Sequence, residues 1–253
     1  MPLDLIVVSE QLATVDHSAV ATLERQLGVE MPSGYAEFMA AYGEGTVCDE
    51  LNVWGPQRIL NRVEQARETW VQDWFWEHPR LAPGDFADAV PVGDSSNGDQ
   101  LAYLPRHGLV LLPRHRDGAI DAGTSYTRAV QGFCTDGTLV APSAVLWFES
   151  WVQQSCYENW SGGDRGRVRD AVAALGLHVA VDAPDPHAIT FLLPAMGGHV
   201  YIMEAGTQDL HVHVRFEPQH VAVYTRIAAA LTAAGTGGRI RWGAEPAEPH
   251  TSK

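Results

Sequence analysis

The chain has 253 residues, 45% of them hydrophobic, with three cysteines and a formal net charge of −14. That length and apolar content suffice for one large domain or two modest ones, and the acidity weighs against nucleic acid and anionic membranes as partners. Cys48, Cys134 and Cys156 are widely spaced and form no C-x-x-C pair, which argues against a disulfide framework or a thiolate zinc site, so they are read as reduced and structural.

The N-terminus, MPLDLIVVSEQ, carries no basic lead and only a short apolar run. Neither a secretory signal nor a membrane span is expected there, and the expected location is the cytoplasm. Residues 1–160 hold 22 Asp and Glu against 9 Arg, a net of −13, and residues 161–253 hold 9 against 8 Arg and Lys, a net of −1. An acidic field concentrated in this way steers basic proteins, although an acidic surface also simply keeps a protein dissolved.

The first predicted helix covers 18–27, with Val20, Leu23 and Leu27 on one face, Ser18 as N-cap and Gly28 as a left-handed stop. A second follows Pro32, with Tyr35, Phe38, Met39 and Tyr42 as an aromatic stripe, and ends at Gly43 and Gly45. After a short strand ending at Trp54, the residues Ile59, Val63, Ala66 and Trp70 trace a third helix. Residues 71–89 read as a loop, and Trp74, Phe75 and Trp76 in succession cannot all face one core, so at least one ring is expected at the surface. Apolar runs between turn clusters at 93–99, 105–108 and 113–118 predict an antiparallel meander. The run TRAVQGF is read as a further strand, and Ser143 as the start of a helix bearing Trp147, Phe148, Trp151 and Val152.

The Gly- and Ser-rich stretch NWSGGDRG, 159–166, is read as a linker, which places domains at 1–160 and 161–243. The second, smaller α+β domain is expected to hold a helix at GRVRDAVAALG, four strands, a helix over 219–234 and a closing strand RIRWG. The tail from 244 to 253, Pro-rich and polar, is expected to be disordered.

The helix VATLERQLG, the segment Met31-Pro32, Tyr35, Phe38-Met39 and Tyr42-Gly43-Glu44-Gly45, the Gly98-Asp99 pair before a strand, and VLWFESWV as a closing helix follow one another in an order that resembles the bacterial SMI1/KNR4 family of the SUKH superfamily. Glu44 stands in a variant of that family's usual Asn-Gly-Gly. The resemblance covers roughly residues 1–158. It implies an α+β fold with helices packed on a mixed, mostly antiparallel sheet. It also implies a non-enzymatic immunity protein, without cofactor, that binds and neutralises a cognate basic toxin domain, often a nuclease.

The family supplies no universal binding residue, so the expected surface comes from physical chemistry. Rings of Trp with acidic neighbours nominate Trp54, Trp74 and Trp76 with Glu44, Asp49, Glu50, Asp73, Glu77, Asp85 and Asp88. His211 and His213 lie two apart on a predicted strand and so share a face, with His199 or His220 as a third ligand; this would make a metal-dependent enzyme or a ligand-binding unit. The GDSSNGD segment, with Asp94, Ser95, Ser96 and Asp99, lacks a nucleophile elbow and reads as a turn. A regulatory protein-interaction scaffold shares the same fold expectation.

Overall fold

The computed structural model describes residues 3–151, 155–205 and 209–243, with backbone alone at 184, 205, 209 and 238–243. The tail over 244–253, expected to be disordered, lies outside the described residues. The chain opens with β1 (Ile6–Val7), α1 (His17–Leu27), α2 (Tyr35–Ala41), β2 (Gly45–Val47), β3 (Leu51–Val53) and α3 (Pro56–Gln72). It continues through β4 (Val90–Ser95), β5 (Gln100–Leu104), β6 (Gly108–Leu112), β7 (Ile120–Gly123), α4 (Tyr126–Thr135), β8 (Trp147–Ser150) and β9 (Cys156–Ser161). Then come α5 (Arg165–Ala174), β10 (Ala180–Asp185), β11 (Ala188–Leu193), β12 (Gly198–Ala205), β13 (Asp209–Phe216), α6 (Val221–Ala233) and β14 (Gly237–Gly243). These elements form two compact α+β units: Leu12–Ala141 with residues 3–5, and Ile6–Gln11 with residues 142–243. The division therefore falls at 141/142, not at the expected 160/161, and most of the expected linker is regular structure, β9 and the start of α5.

In the first unit Asp16, two residues ahead of the expected cap, closes the N-terminus of α1 by accepting from the Ser18 N–H at 2.6 Å, and Gly28 ends the helix at φ 68°. Pro32 precedes α2 instead of sitting in its first turn, and its carbonyl accepts from the Tyr35 N–H at 3.0 Å. Tyr35, Phe38 and Met39 are buried, as the stripe predicts. The strands run antiparallel in the order β2-β3-β4-β5-β6-β7. Ala102, Leu104, Val110 and Leu112 form a core with Trp70, Trp76, Leu81 and Phe86, from α3 and the segment after it.

The run TRAVQGF is not a strand but lies in α4, where Tyr126, Ala129, Val130, Phe133 and Cys134 are buried at helical spacing. Tyr126 meets Tyr35 and Phe38 edge-on at 5.1 and 5.5 Å, so α4 completes the aromatic cluster that α2 begins.

In the second unit residues 145–151 of VLWFESWV are not helical either, and Val152 lies outside the described residues. Residues 147–150 form β8, parallel to β1, and all four are buried. A short apolar run buried on both faces matches the helical spacing by coincidence, since periodicity alone does not separate the two. The main sheet has the order β10-β11-β12-β13-β9-β14, antiparallel throughout. Along β13, Leu210, Val212, Val214 and Phe216 point into a core shared with α5 and α6, and His211, His213 and Arg215 point to the other face. Phe216 stacks on Tyr224 with ring centroids 4.1 Å apart and planes 8° apart.

Because Phe216 is fully buried against α6, Phe216→Ala is expected to cost about 3–5 kcal/mol, read as a lower urea midpoint at unchanged slope.

Candidate functional site

The nominated residues of the first unit separate along α3. Glu44 and Trp54 sit at its beginning, whereas Asp73, Trp74, Trp76 and Glu77 lie past its end, and a helix of that length spans about 25 Å. At the beginning Trp54 is buried and its indole N–H donates to Asp94 Oδ1 at 3.0 Å. The Arg58 guanidinium lies 5.0 Å from the Trp54 ring centroid and 3.7 Å from Glu44 Oε1. Burial raises the Glu44 carboxyl, with Arg58 acting the other way. Trp54 is thus a ring held inside a polar lattice and is not displayed to a partner.

Past the end of α3 the three successive rings part company. Trp76 is buried and donates its indole N–H to the Pro113 carbonyl at 2.6 Å. Trp74 is half-buried, 4.9 Å from Phe86 and 5.6 Å from Trp76 between ring centroids. Phe75 is the surface ring: it is 47% exposed and lies over Trp76 at 4.3 Å and 31°. Asp73 and Glu77, two residues to either side, are exposed, as is Asp88. Val71, 43% exposed, adds an apolar neighbour in sequence. The backbone under this stretch is fixed, since Glu77 N–H donates to the Asp117 carbonyl and Ala119 N–H to the Glu77 carbonyl.

Asp85 has a structural task. Its Oδ2 accepts from the Ala82 N–H at 2.8 Å and its Oδ1 lies 3.4 Å from His107 Nε2. The Ala82 N–H, with His107 and Arg106 nearby, holds its carboxyl below the ordinary range. Reversing its charge would undo a short helical turn as well as a surface charge.

Asp49 and Glu50 belong to the β2–β3 turn. Cys48 and Asp49 both have positive φ, 54° and 58°, and the Glu50 N–H donates back to the Val47 carbonyl at 3.1 Å, a turn that usually carries Asn-Gly. Cys48, Cys134 and Cys156 are free buried thiols. The GDSSNGD segment is the β4–β5 turn, in which Asp99 accepts from Ser95 Oγ at 2.8 Å and from the Arg114 N–H at 2.9 Å.

In the second unit His211 and His213 share the face that faces away from the helices, as the spacing predicts. His213 Nδ1 lies 2.6 Å from the Tyr157 hydroxyl. His199, on β12, is buried against Trp147 at 4.8 Å, and burial, then Arg215 and His213, push its pKa down to about 3. It is a neutral imidazole inside the unit. Among the described residues no third His, Cys, Asp or Glu joins His211 and His213 in a ligand set; the set that does form is Glu10, Glu217 and His220. His220 had a sequence signal, but Glu10 lies 210 positions away and no local pattern connects the two. No helix among the described residues is long and apolar enough to cross a membrane. No family model, curated protein or solved structure matches the chain.

Burial, then Asp49 and Asp99, push the Glu50 carboxyl from 4.5 up to about 7. The unfolded chain ionises near the lower value, so this group's contribution to stability is complete below it and is lost as pH rises through about 7. Glu50→Gln is expected to stabilise the first unit by about 1–2 kcal/mol at pH 8, allowing for partial solvent screening, and by much less at pH 5. Equal effects in urea unfolding at the two pH values would refute the assignment.

Proposed function

We propose that the first unit is a protein-binding module that occludes a basic partner, in the manner of an immunity protein acting on a cognate toxin domain in the cytoplasm. The observation that carries this reading is the Phe75 ring, half exposed on the Trp76 platform and bracketed by exposed Asp73 and Glu77. An aromatic anchor with an acidic rim is the composition of an interface hot spot. The charge of the unit favours the same partner, with 19 Asp and Glu against 9 Arg over residues 3–5 and 12–141. Long-range attraction raises the encounter rate, and the ring then supplies the short-range contact that holds the complex.

The ordered signature from VATLERQLG through Gly98-Asp99 supports the reading as scaffold, since Pro32, Tyr35, Phe38, Met39 and Asp99 are buried and tie the turns together. Neutralisation of this kind needs no catalytic group, only coverage of the partner's active surface. The nuclease class of toxin is one member of that proposal, because a nuclease site is built to hold phosphate and so presents positive charge to an acidic face.

Affinity capture from the producing cells, washed at low and at high salt, tests the proposal. The expected result is one basic protein whose toxicity is relieved by co-expression of this chain. Phe75→Ala is expected to weaken the complex about 30-fold, near 2 kcal/mol, with unfolding unchanged to within about 1 kcal/mol. Joint change of Asp73 and Glu77 to Lys is expected to slow association and lessen its salt dependence. Equal retention of the partner by all three proteins, or capture of unrelated housekeeping proteins alone, would remove this surface from consideration.

A further inference from the structure

The N-terminal stretch of the second unit ends on a convergence of metal-ligating groups. Glu10, Glu217 and His220 each offer one ligand atom, and these atoms lie within 4.8 Å of one another. His220 Nε2 is 3.1 Å from Glu10 Oε2 and 3.7 Å from Glu217 Oε2. Ligand atoms bound at about 2.1 Å stand about 3.0 Å apart along an octahedral edge and about 3.4 Å along a tetrahedral one. The His220–Glu10 separation falls within that range and the His220–Glu217 separation lies a few tenths of an ångström above it, so small side-chain adjustments bring the donors onto a single cation.

The charge of the set points the same way. Glu217 is 1% exposed, and a carboxylate withdrawn from water costs several kcal/mol unless positive charge compensates it. Within the set, two carboxylates face one imidazole, and a proton on His220 balances only half of their charge. A divalent ion bound to the neutral imidazole balances all of it.

The surroundings orient these groups. Gln219 Nε2 donates to Glu10 Oε2 and to Glu217 Oε2 at 2.8 Å each, and the Glu10 N–H donates to Glu217 Oε1 at 3.0 Å. These bonds set the orientation of the carboxylate planes. Gly197, at φ 65°, makes the space: a Cβ there would stand 2.4 Å from Glu217 Cδ. Glu10, with its side chain 54% exposed, gives the site a route to solvent.

We propose that Glu10, Glu217 and His220 bind a divalent transition-metal cation, Zn²⁺ or Mn²⁺, which fastens residues 6–11 to the start of α6. The mixed nitrogen and oxygen donors suit these ions better than Mg²⁺ or Ca²⁺, which prefer oxygen alone. The site is independent of the surface around Phe75, which belongs to the other unit.

Calorimetric titration of the full chain, stripped with a chelator, with Zn²⁺ and separately with Mn²⁺ tests this. The expected result is one equivalent bound at micromolar Kd for at least one of the two ions, at least tenfold weaker in His220→Gln and in Glu10→Gln. The joint change of His211 and His213 to Ala is expected to retain the site. The ion is also expected to raise the melting temperature of the wild type but not of the two site variants. Glu10 is exposed, so its variant keeps the test valid if His220→Gln folds poorly. Binding unaltered in Glu10→Gln, loss of the equivalent in the His211 and His213 variant, or no saturable binding of either ion below about 100 μM would each overturn the proposal.

Discussion

The pairing of Ile6 and Val7 with Trp147 and Phe148 is the contact on which the organisation of the chain turns. Parallel strands need a crossover, and here the crossover contains residues 12–141 of the first unit. Closing a loop of about 140 residues costs about 4 kcal/mol by the logarithmic law, more than a two-residue ladder returns. The segment is held by more than its ladder. Val8, Trp147 and Phe148 are buried, the Ser150 N–H donates to Ser9 Oγ at 2.8 Å, and the Glu10 N–H reaches Glu217. The second unit is therefore built from both ends of the described chain, and a fragment beginning at residue 142 would lack its first strand and one of its three clustered ligands.

The two units dispose of their acids differently. In the first, Asp99 is the one buried carboxylate among the described residues; in the second, Glu149, Glu158, Asp182 and Glu217 are all buried. Each of the four meets a donor: Arg215 Nε lies 2.5 Å from Glu149, the Tyr224 hydroxyl donates to Glu158, the Ala144 N–H donates to Asp182 at 2.9 Å, and Gln219 donates to Glu217. Of these donors only Arg215 cancels charge, so the balance between the units rests on their composition, 19 Asp and Glu against 9 Arg in the first. The acidic potential that would steer a partner arises mainly from the first unit.

Long periodic segments were legible in the sequence. The stripe of α2, the face of α3, the meander and the strands from β10 to β13 stand where the pattern of apolar residues puts them, and the α+β class follows from them. The errors fall on short runs whose environment is decided by tertiary contact. TRAVQGF satisfies strand propensity locally, but its helical face completes the cluster of Tyr35 and Phe38. WFES satisfies a helical spacing, but both of its faces are covered. β9 escaped notice because Gly162 and Gly163 follow it, and such residues suggest a linker, although Cys156, Glu158 and Trp160 alternate inward as a central strand requires. Among the successive rings Trp74, Phe75 and Trp76, the sequence alone requires that at least one reach the surface. Trp76 is buried with its indole N–H bonded to the Pro113 carbonyl, whereas Phe75 has no polar group to satisfy and stays at the surface without losing a hydrogen bond.

An exposed ring that is already ordered would bind at a lower entropic cost than a mobile one. A flexible surface side chain loses rotamer freedom when it binds, at about 0.5–1.5 kcal/mol. Phe75 lies against Trp76, which is itself buried and hydrogen-bonded to Pro113, so much of that ordering is already present in the free chain. Acidic residues alone would attract any basic surface and discriminate poorly among them, since charge acts at long range and salt screens it. A ring held in one orientation requires a matching cavity on the partner. On the proposed surface, steering by Asp73 and Glu77 would act on the rate of encounter and selection by Phe75 on the lifetime of the complex.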